Sequence, residues 1–438
     1  MSGITRLNAR WLITMQISPP EVQEHQRVYL QKGRILAIEP FDAPDLPFDE
    51  EIDLPQHLLM PGYINAHGHA AMSLFRGIAD DLPLMTWLEE HIWPAEGRWV
   101  DHEFVHQGTQ LAIAEMLRSG TTTFADMYFY PAGVIDAALE TGMRCVSFTP
   151  VIDFPTRYGE NADDYIQKAL TTRDRYKTED LITVGLGPHA PYTISDGPLR
   201  QIAVIADELD MPVQIHLHET AFEVSQSAEI HGCRPSQRLA QLGFLDTRVS
   251  CAHMTQVTAE DIDLFRQTGA SIIHCPESNL KLASGFCPSA KLLSANINVG
   301  LGTDGAASNN DLNLQSEMQT AALLAKAVAG DASALPAWQA LEMATIGSAR
   351  ALGIDQHTGS IETGKWADLQ AIRMDDLTMQ PTYDPISQLV YTNSSQFTSH
   401  VWVAGKQLLV DGQFSTIEIA ELTTQTQTWR NKIAATQK

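Results

Sequence analysis

The chain has 438 residues, enough for one large domain and a smaller one, and its 44% hydrophobic and 19% charged residues suit a globular protein. Against 53 Asp plus Glu stand only 29 Lys plus Arg, a formal net charge of -24, which argues against nucleic acid or an anionic membrane as a partner because both repel a negative surface. No charged-then-apolar leader opens the chain, and no run reaches the ~20 apolar residues that span a bilayer, so a cytoplasmic protein is expected. Its five cysteines (Cys145, Cys233, Cys251, Cys275, Cys287) are scattered without a Cys-x-x-Cys pair and read as reduced thiols.

Residues 1–60 read as short strands with turns. Trp11-Leu12-Ile13-Thr14, Arg27-Val28-Tyr29-Leu30 and Arg34-Ile35-Leu36-Ala37-Ile38 are strand-like, and Lys32-Gly33 marks a hairpin turn. Next comes Pro61-Gly62-Tyr63-Ile64-Asn65-Ala66-His67-Gly68-His69. On an extended segment, side chains at i and i+2 share a face, so both imidazoles project into one space and supply half of a tetrahedral zinc shell.

From there short apolar runs alternate with helical stretches. Val105 to Arg118 precedes Thr121 to Ala125, Ala132 to Thr141 precedes Arg144 to Thr149, and Leu199 to Leu209 precedes Val213 to His218. Arg234 to Leu242, Ala259 to Thr268 and Ser289 to Ala295 similarly precede Val249 to His253, Ser271 to Cys275 and Val299 to Thr303. Such alternation implies parallel strands. The expected fold is α/β, a distorted (β/α)8 barrel over residues 62–364, with an open doubly wound sheet as the structural alternative. No Gly-x-Gly-x-x-Gly follows a strand, which weakens a dinucleotide-binding reading. Asp368 to Ile372 and His400 to Ala404 read as strands again, with Ala404-Gly405-Lys406 turning into Gln407 to Val410. Residues 1–61 and 365–438 are therefore expected to meet in one small β-sandwich, since neither end has strands enough alone.

Polar residues close these strands where a barrel builds its active site. His67 and His69 end the first, and His189, His216 (with Glu219 three residues on), His253, His274 and Asp304 end later ones. So many histidines and an aspartate at one end of a barrel point to a metal centre.

The motifs Pro61 to His69, His216-Leu217-His218-Glu219 and Gly302-Thr303-Asp304-Gly305 resemble those of the amidohydrolase superfamily. Within it, Ala71-Met72-Ser73-Leu74-Phe75-Arg76-Gly77 and Asp304 to Leu312 resemble the deaminases of 5'-methylthioadenosine and S-adenosylhomocysteine. The resemblance covers nearly the whole chain. It implies one metal on His67, His69, His216 and Asp304, with zinc as the default and iron or manganese suited to the same ligands. Many two-metal relatives bridge their metals with a carbamylated lysine, and no lysine stands at these strand ends, so one metal is expected.

It also implies hydrolytic release of ammonia from an adenosine-type nucleoside. Zinc lowers the pKa of a water towards ~7. Asp304 orients that water and takes its proton, and His253 stabilises it. Glu219 protonates the ring nitrogen and passes the proton to the departing ammonia. By the same resemblance Glu96, in Trp93-Pro94-Ala95-Glu96, binds the ribose hydroxyls, and His189 meets the ring or ribose. Arg157 sits where some relatives carry a substrate arginine. Trp87, Met85 and Met127 are candidates for an apolar thioether pocket, while His218, His274 and Ser308 lie near the site without assigned roles. Guanine deamination and triazine chlorohydrolysis are the rival chemistries on this skeleton. A non-catalytic scaffold is a third reading, opposed by the intact ligand set. A symmetric homo-oligomer is the general expectation for soluble enzymes.

Overall fold

Two eight-stranded sheets organise the chain in the computed structural model, which describes residues 3–436. The first begins with β1 (Ile4–Ile13), β2 (Val22–Gln31), β3 (Arg34–Pro40) and β4 (Glu50–Pro61). Lys32 and Gly33 join β2 to β3 with φ of 52° and 79°, the left-handed pair that a two-residue hairpin turn needs. Gly62 then leads from β4 into the second sheet. A Cβ there would lie 2.1 Å from the Thr122 methyl, so only glycine permits the close approach.

The second sheet holds β5 (Tyr63–Asn65), β6 (Thr121–Met127), β7 (Arg144–Val151), β8 (Ile182–Pro188), β9 (Val213–Leu217), β10 (Val249–His253), β11 (Ser271–His274) and β12 (Val299–Leu301). They lie in sequence order and every neighbouring pair is parallel. Parallel neighbours need crossovers, and helices provide them. The helix Ala162–Tyr176 shows how the sequence specifies one. Asn161 caps it by accepting from the Asp164 N–H at 3.1 Å, and Tyr165, Ile166, Ala169, Thr172 and Tyr176 form one buried stripe at helical spacing.

The barrel is distorted at β8–β9, whose ladder is reduced to the pair Leu186–Val213. It nearly closes between its first and last strands. Ala66 N–H donates to Leu301 O at 2.9 Å and Asp304 N–H to His67 O at 3.1 Å, with a bridge between Gly68 and Asp304. Closure requires Gly302, because a Cβ there would stand 2.8 Å from the His67 backbone. The His67-Gly68-His69 and Asp304 motifs, far apart in sequence, therefore become neighbours through main-chain hydrogen bonds.

Four late strands, β13 (Leu369–Arg373), β14 (Thr398–Val403), β15 (Lys406–Val410) and β16 (Gln413–Phe414), complete the first sheet. Its order is β16-β15-β14-β13-β4-β1-β2-β3, with β4 parallel to β1 and antiparallel to β13. The two ends of the chain meet there, as expected. Leu7, Leu12, Val28, Leu59, Leu369 and Trp402 from both ends share one buried apolar cluster. The stretch after β16 is different: Ile419–Ala434 is a helix that packs against the barrel helix His102–Arg118, with Trp429 Nε1–H donating to Gln107 Oε1 at 2.7 Å. Among the described residues no helix is long and apolar enough to cross a membrane.

Candidate metal centre and active site

Residues at or just past the C-terminal ends of β5, β9, β10 and β12 converge at the C-terminal end of the barrel. Three imidazoles are oriented by oxygen atoms behind them. His67 Nδ1 lies 2.7 Å from Gln214 Oε1, and that amide is itself oriented by its Nε2–H donating to Ala66 O at 2.9 Å. His69 Nδ1 lies 2.7 Å from Met127 O, and His216 Nδ1 2.7 Å from His189 O. These oxygens accept, so each Nδ1 carries hydrogen and each Nε2 turns to the centre. The Asp304 Oδ1 stands 3.6 Å from His67 Nε2 and 3.1 Å from His69 Nε2, and His216 Nε2 is 3.4 Å from His69 Nε2.

His67 is fully buried, yet among the described residues its Nε2 has no hydrogen-bond partner. A buried nitrogen left bare in this way costs free energy unless something else binds it. Burial first, then the neighbouring imidazole of His69, lowers the His67 pKa to about 3, and burial with the surrounding imidazoles lowers His216 well below the ordinary value. Both rings are therefore neutral at pH 7, as metal ligands must be. His69 behaves oppositely. Burial disfavours its charge, but the hydrogen bond and charge of Asp304 outweigh that and raise its pKa to about 9. Its proton sits where a cation would compete with it. The donor set of three imidazoles and one carboxylate thus fits a divalent transition metal such as zinc.

Asp304 adopts a left-handed backbone with φ of 60°, a conformation a non-glycine residue holds only when its surroundings enforce it. Its Oδ2 accepts the hydroxyls of Ser278 and Ser308, each at 2.7 Å, which leaves Oδ1 for the histidines. Burial raises the Asp304 pKa, but the hydrogen bond from His69 and the surrounding imidazoles reverse this and hold it well below the carboxylate range. His253 also has φ in the left-handed region, at 76°, and its Nδ1 lies 2.9 Å from Asn279 Oδ1. Nitrogens of His67, His216 and His253 lie within 4.8 Å of one another, as do ligand atoms of His67, His69 and Asp304. His253 thus groups with His67 and His216 as His69 and Asp304 group with His67.

Glu219 is 8% exposed, and its carboxylate is 3.9 Å from His253 Nε2. Burial raises its pKa, the direction a proton-donating carboxyl needs. His218 turns away from the centre. Its Nε2 accepts from Ser236 N–H at 3.1 Å and its Nδ1 meets Gln256 O at 3.1 Å, so it braces packing. His274 is buried and contributes its carbonyl to Gly302 N–H at 3.0 Å.

Above the centre opens a cavity of about 330 Å³, with His69, His216, Glu219, His253 and Asp304 on its floor. Trp87, Leu88, Ile92 and Trp93, from the excursion between β5 and β6, wall one side, and Phe129, Ile152 and Phe154 wall another. Glu96, half-buried in the helix Trp93–Trp99, accepts the Tyr128 hydroxyl at 2.7 Å, and burial raises its pKa to about 6. His189 lines the cavity with Nδ1 3.1 Å from Thr193 Oγ1, and burial lowers its pKa to about 4. Arg157 lies exposed at the rim, with Nη1–H donating to Arg98 O at 3.0 Å. Trp87 and Met127 line the cavity, whereas Met85, expected beside them, does not.

The structure brings in residues that the sequence left unassigned. Gln214 precedes His216 by two on the same strand, a spacing that places both on one face, and this signal was present in the sequence. Asn279, Ser278 and Tyr128 carry no such signal.

A model of the amidohydrolase family matches residues 58–408. The chain belongs to the amidohydrolase family. It is 53% identical over 431 residues to a protein of Saccharophagus degradans named 5-methylthioadenosine/S-adenosylhomocysteine deaminase, covering 98% of this chain and 96% of that one. A crystal structure of an adenosine deaminase from Xanthomonas campestris with bound zinc superposes with a TM-score of 0.96 at 43% identity, over 98% of each chain. The crystal structure of atrazine chlorohydrolase from Arthrobacter aurescens, complexed with zinc, shares the fold with a TM-score of 0.92 at 25% identity, over 97% of this chain and all of that one.

Proposed function

We propose that this chain hydrolyses the exocyclic amine of 5'-methylthioadenosine and S-adenosylhomocysteine, giving the inosine analogue and ammonia. The observation that carries the reading is the convergence of three outward-braced imidazoles and Asp304 beneath a cavity whose floor also holds a buried, proton-poised Glu219. The identity of the Saccharophagus protein, twice that of the chlorohydrolase, favours ammonia over chloride as the leaving group.

His67, His69, His216 and Asp304 would hold the cation, and zinc is the reading supported by the Xanthomonas relative. Bound there, it supplies a Lewis acid that makes water a nucleophile near neutral pH. Asp304 would orient the water and take its proton, with its carboxylate held in place by the hydroxyls of Ser278 and Ser308 on Oδ2. His253, held through Nδ1 by Asn279, directs Nε2 at the same water. Glu219 donates its proton to the ring nitrogen next to the carbon under attack, the proton taken by Asp304 passes to the leaving amine, and the hydroxyl proton released as the carbonyl forms restores Glu219. Glu96, fixed by Tyr128, accepts two ribose hydroxyls, and His189 meets the ring or ribose from the far wall. Arg157 at the rim is a partner for the amino-acid carboxylate of adenosylhomocysteine and has none in methylthioadenosine. The five free thiols accord with a cytoplasmic enzyme.

The test is ammonia release from methylthioadenosine, adenosylhomocysteine and adenosine, with guanine and a chlorotriazine as rivals, and metal content measured on the same sample. Turnover of the nucleosides is expected. Glu219→Gln should keep the metal and lose about 10²–10⁴-fold in turnover. Turnover of guanine or the chlorotriazine alone would overturn the reading.

A further inference from the structure

The short segment between β9 and the helix Ala221–His231 carries Glu219, and its backbone is gripped from two sides. On one side a single carboxylate takes two consecutive amides: His218 N–H donates to Glu223 Oε1 at 2.9 Å, and Glu219 N–H to Glu223 Oε2 at 2.8 Å. On the other side the Thr255 hydroxyl donates to Glu219 O at 2.7 Å, and Thr255 N–H donates to His218 O at 3.0 Å. Glu223 is 4% exposed and does not line the catalytic cavity. His218 has φ of 52°, a left-handed conformation that a residue with a Cβ keeps only when held from outside. Without these grips the peptide would relax, and the direction in which Glu219 leaves the backbone would change.

We infer that Glu223, together with Thr255, is a positioning residue: it fixes the peptide planes around Glu219 and so sets where the Glu219 carboxyl meets the substrate. The inference rests on the reading of Glu219 as the proton shuttle. A glutamate is required because a carboxylate offers an acceptor to each N–H, whereas the amide of glutamine has one accepting oxygen and would turn its own N–H₂ against the second donor. Glu223→Gln therefore breaks one grip at nearly constant volume. Misplacement of a reacting group by about 1 Å costs on the order of 10²-fold in rate, and a carboxyl still tethered by one grip should lose less.

The experiment is a double-mutant cycle on the metal-loaded enzyme with methylthioadenosine, comparing wild type, Glu223→Gln, Glu219→Gln and the double variant. Glu223→Gln is expected to lower kcat by about 10- to 100-fold with KM and metal content unchanged, and the double variant to be no slower than Glu219→Gln alone, since a residue acting only through Glu219 has nothing left to position. A purely structural residue would depress both backgrounds equally. Losses that multiply in the double variant, or an undiminished kcat in Glu223→Gln while Glu219→Gln is impaired, would overturn the inference. Full turnover in Glu219→Gln would instead remove the proton-shuttle reading beneath it. Should Glu223→Gln fail to fold, Thr255→Val removes the hydroxyl that grips the Glu219 carbonyl, along with its contacts to His218 O, Ser284 O and Gln256 Nε2, and is carried through the same cycle with the same deciding outcomes.

Discussion

Two buried aspartates, one flanking a strand of each sheet, meet opposite fates. Asp368, just ahead of β13, is neutralised by the chain itself: Arg144 Nε–H donates to its Oδ2 at 2.7 Å and Nη2–H to its Oδ1 at 3.3 Å, and Ala404 N–H donates to Oδ1 at 2.7 Å. Since Arg144 begins β7, this pair pins the mixed sheet to the barrel. Asp304 is also buried, yet its partners are two hydroxyls and a ring of imidazoles, and among the described residues no lysine or arginine supplies a fixed positive charge. A buried carboxylate with a fixed guanidinium is finished structure. One with hydroxyls and imidazoles has room for a cation and a proton to come and go.

This contrast can be broken from either side. The largest expected effect is that of Asp304→Ala on catalysis. Metal content should fall, and turnover should drop by about 10³-fold or more, since Lewis-acid stabilisation is worth several kcal/mol. Elemental analysis and an ammonia assay check both, and full activity in a metal-free Asp304 variant would end the metal hypothesis. Its chemical-denaturation stability, compared with wild-type protein freed of metal, should change little.

Arg144→Ala is expected to show the reverse. It strands the Asp368 carboxylate in the interior, and removing one partner of a buried pair costs about 3–5 kcal/mol. Denaturant midpoints should fall accordingly, while the kcat of the folded fraction stays near wild type. A stability loss below about 1 kcal/mol, the range of a surface pair, would mean that Asp368 is less buried in solution than its contacts indicate.

The smallest effect sharpens the comparison inside the cavity. Glu96 is a half-buried carboxylate with one neutral partner, Tyr128, so it retains capacity to accept from a ligand. If it binds the ribose hydroxyls, Glu96→Ala should reduce kcat/KM for adenosine analogues about tenfold or more, since a charged hydrogen bond is worth roughly 1.5–3 kcal/mol. A free adenine base should be affected far less. Equal losses for nucleoside and base would place the ribose elsewhere.

Much of this was legible in the sequence because it is local. Alternation of apolar runs and helical stretches gives parallel strands, and a histidine or aspartate just after such a run lands at the barrel's C-terminal end. Lys32-Gly33 and Ala404-Gly405 announced their turns because their positions demand positive φ. The helix Ile419–Ala434 was missed. It follows three short strands, and its amphipathic face is matched to Gln107 and the helix His102–Arg118, partners more than three hundred residues away. Met85 was misplaced for a related reason: it lies in the helical turn Leu84–Thr86 that runs into a π-helical turn at Trp87–Ile92, where the 3.6-residue period that tells which side chains share a face is broken.

By itself, then, the sequence determined the fold class and the set of candidate ligand and acid-base residues, because strand-end position and residue type are properties of a few consecutive residues. Only the tertiary structure decided how those groups are aimed. Gln214 orients His67 across 147 residues, His189 O orients His216, two serines occupy one oxygen of Asp304, and the Glu219 backbone is gripped by Glu223 and Thr255. The atoms of each group are prescribed locally. The direction in which a lone pair or proton points is set by whichever donor or acceptor barrel closure brings behind it.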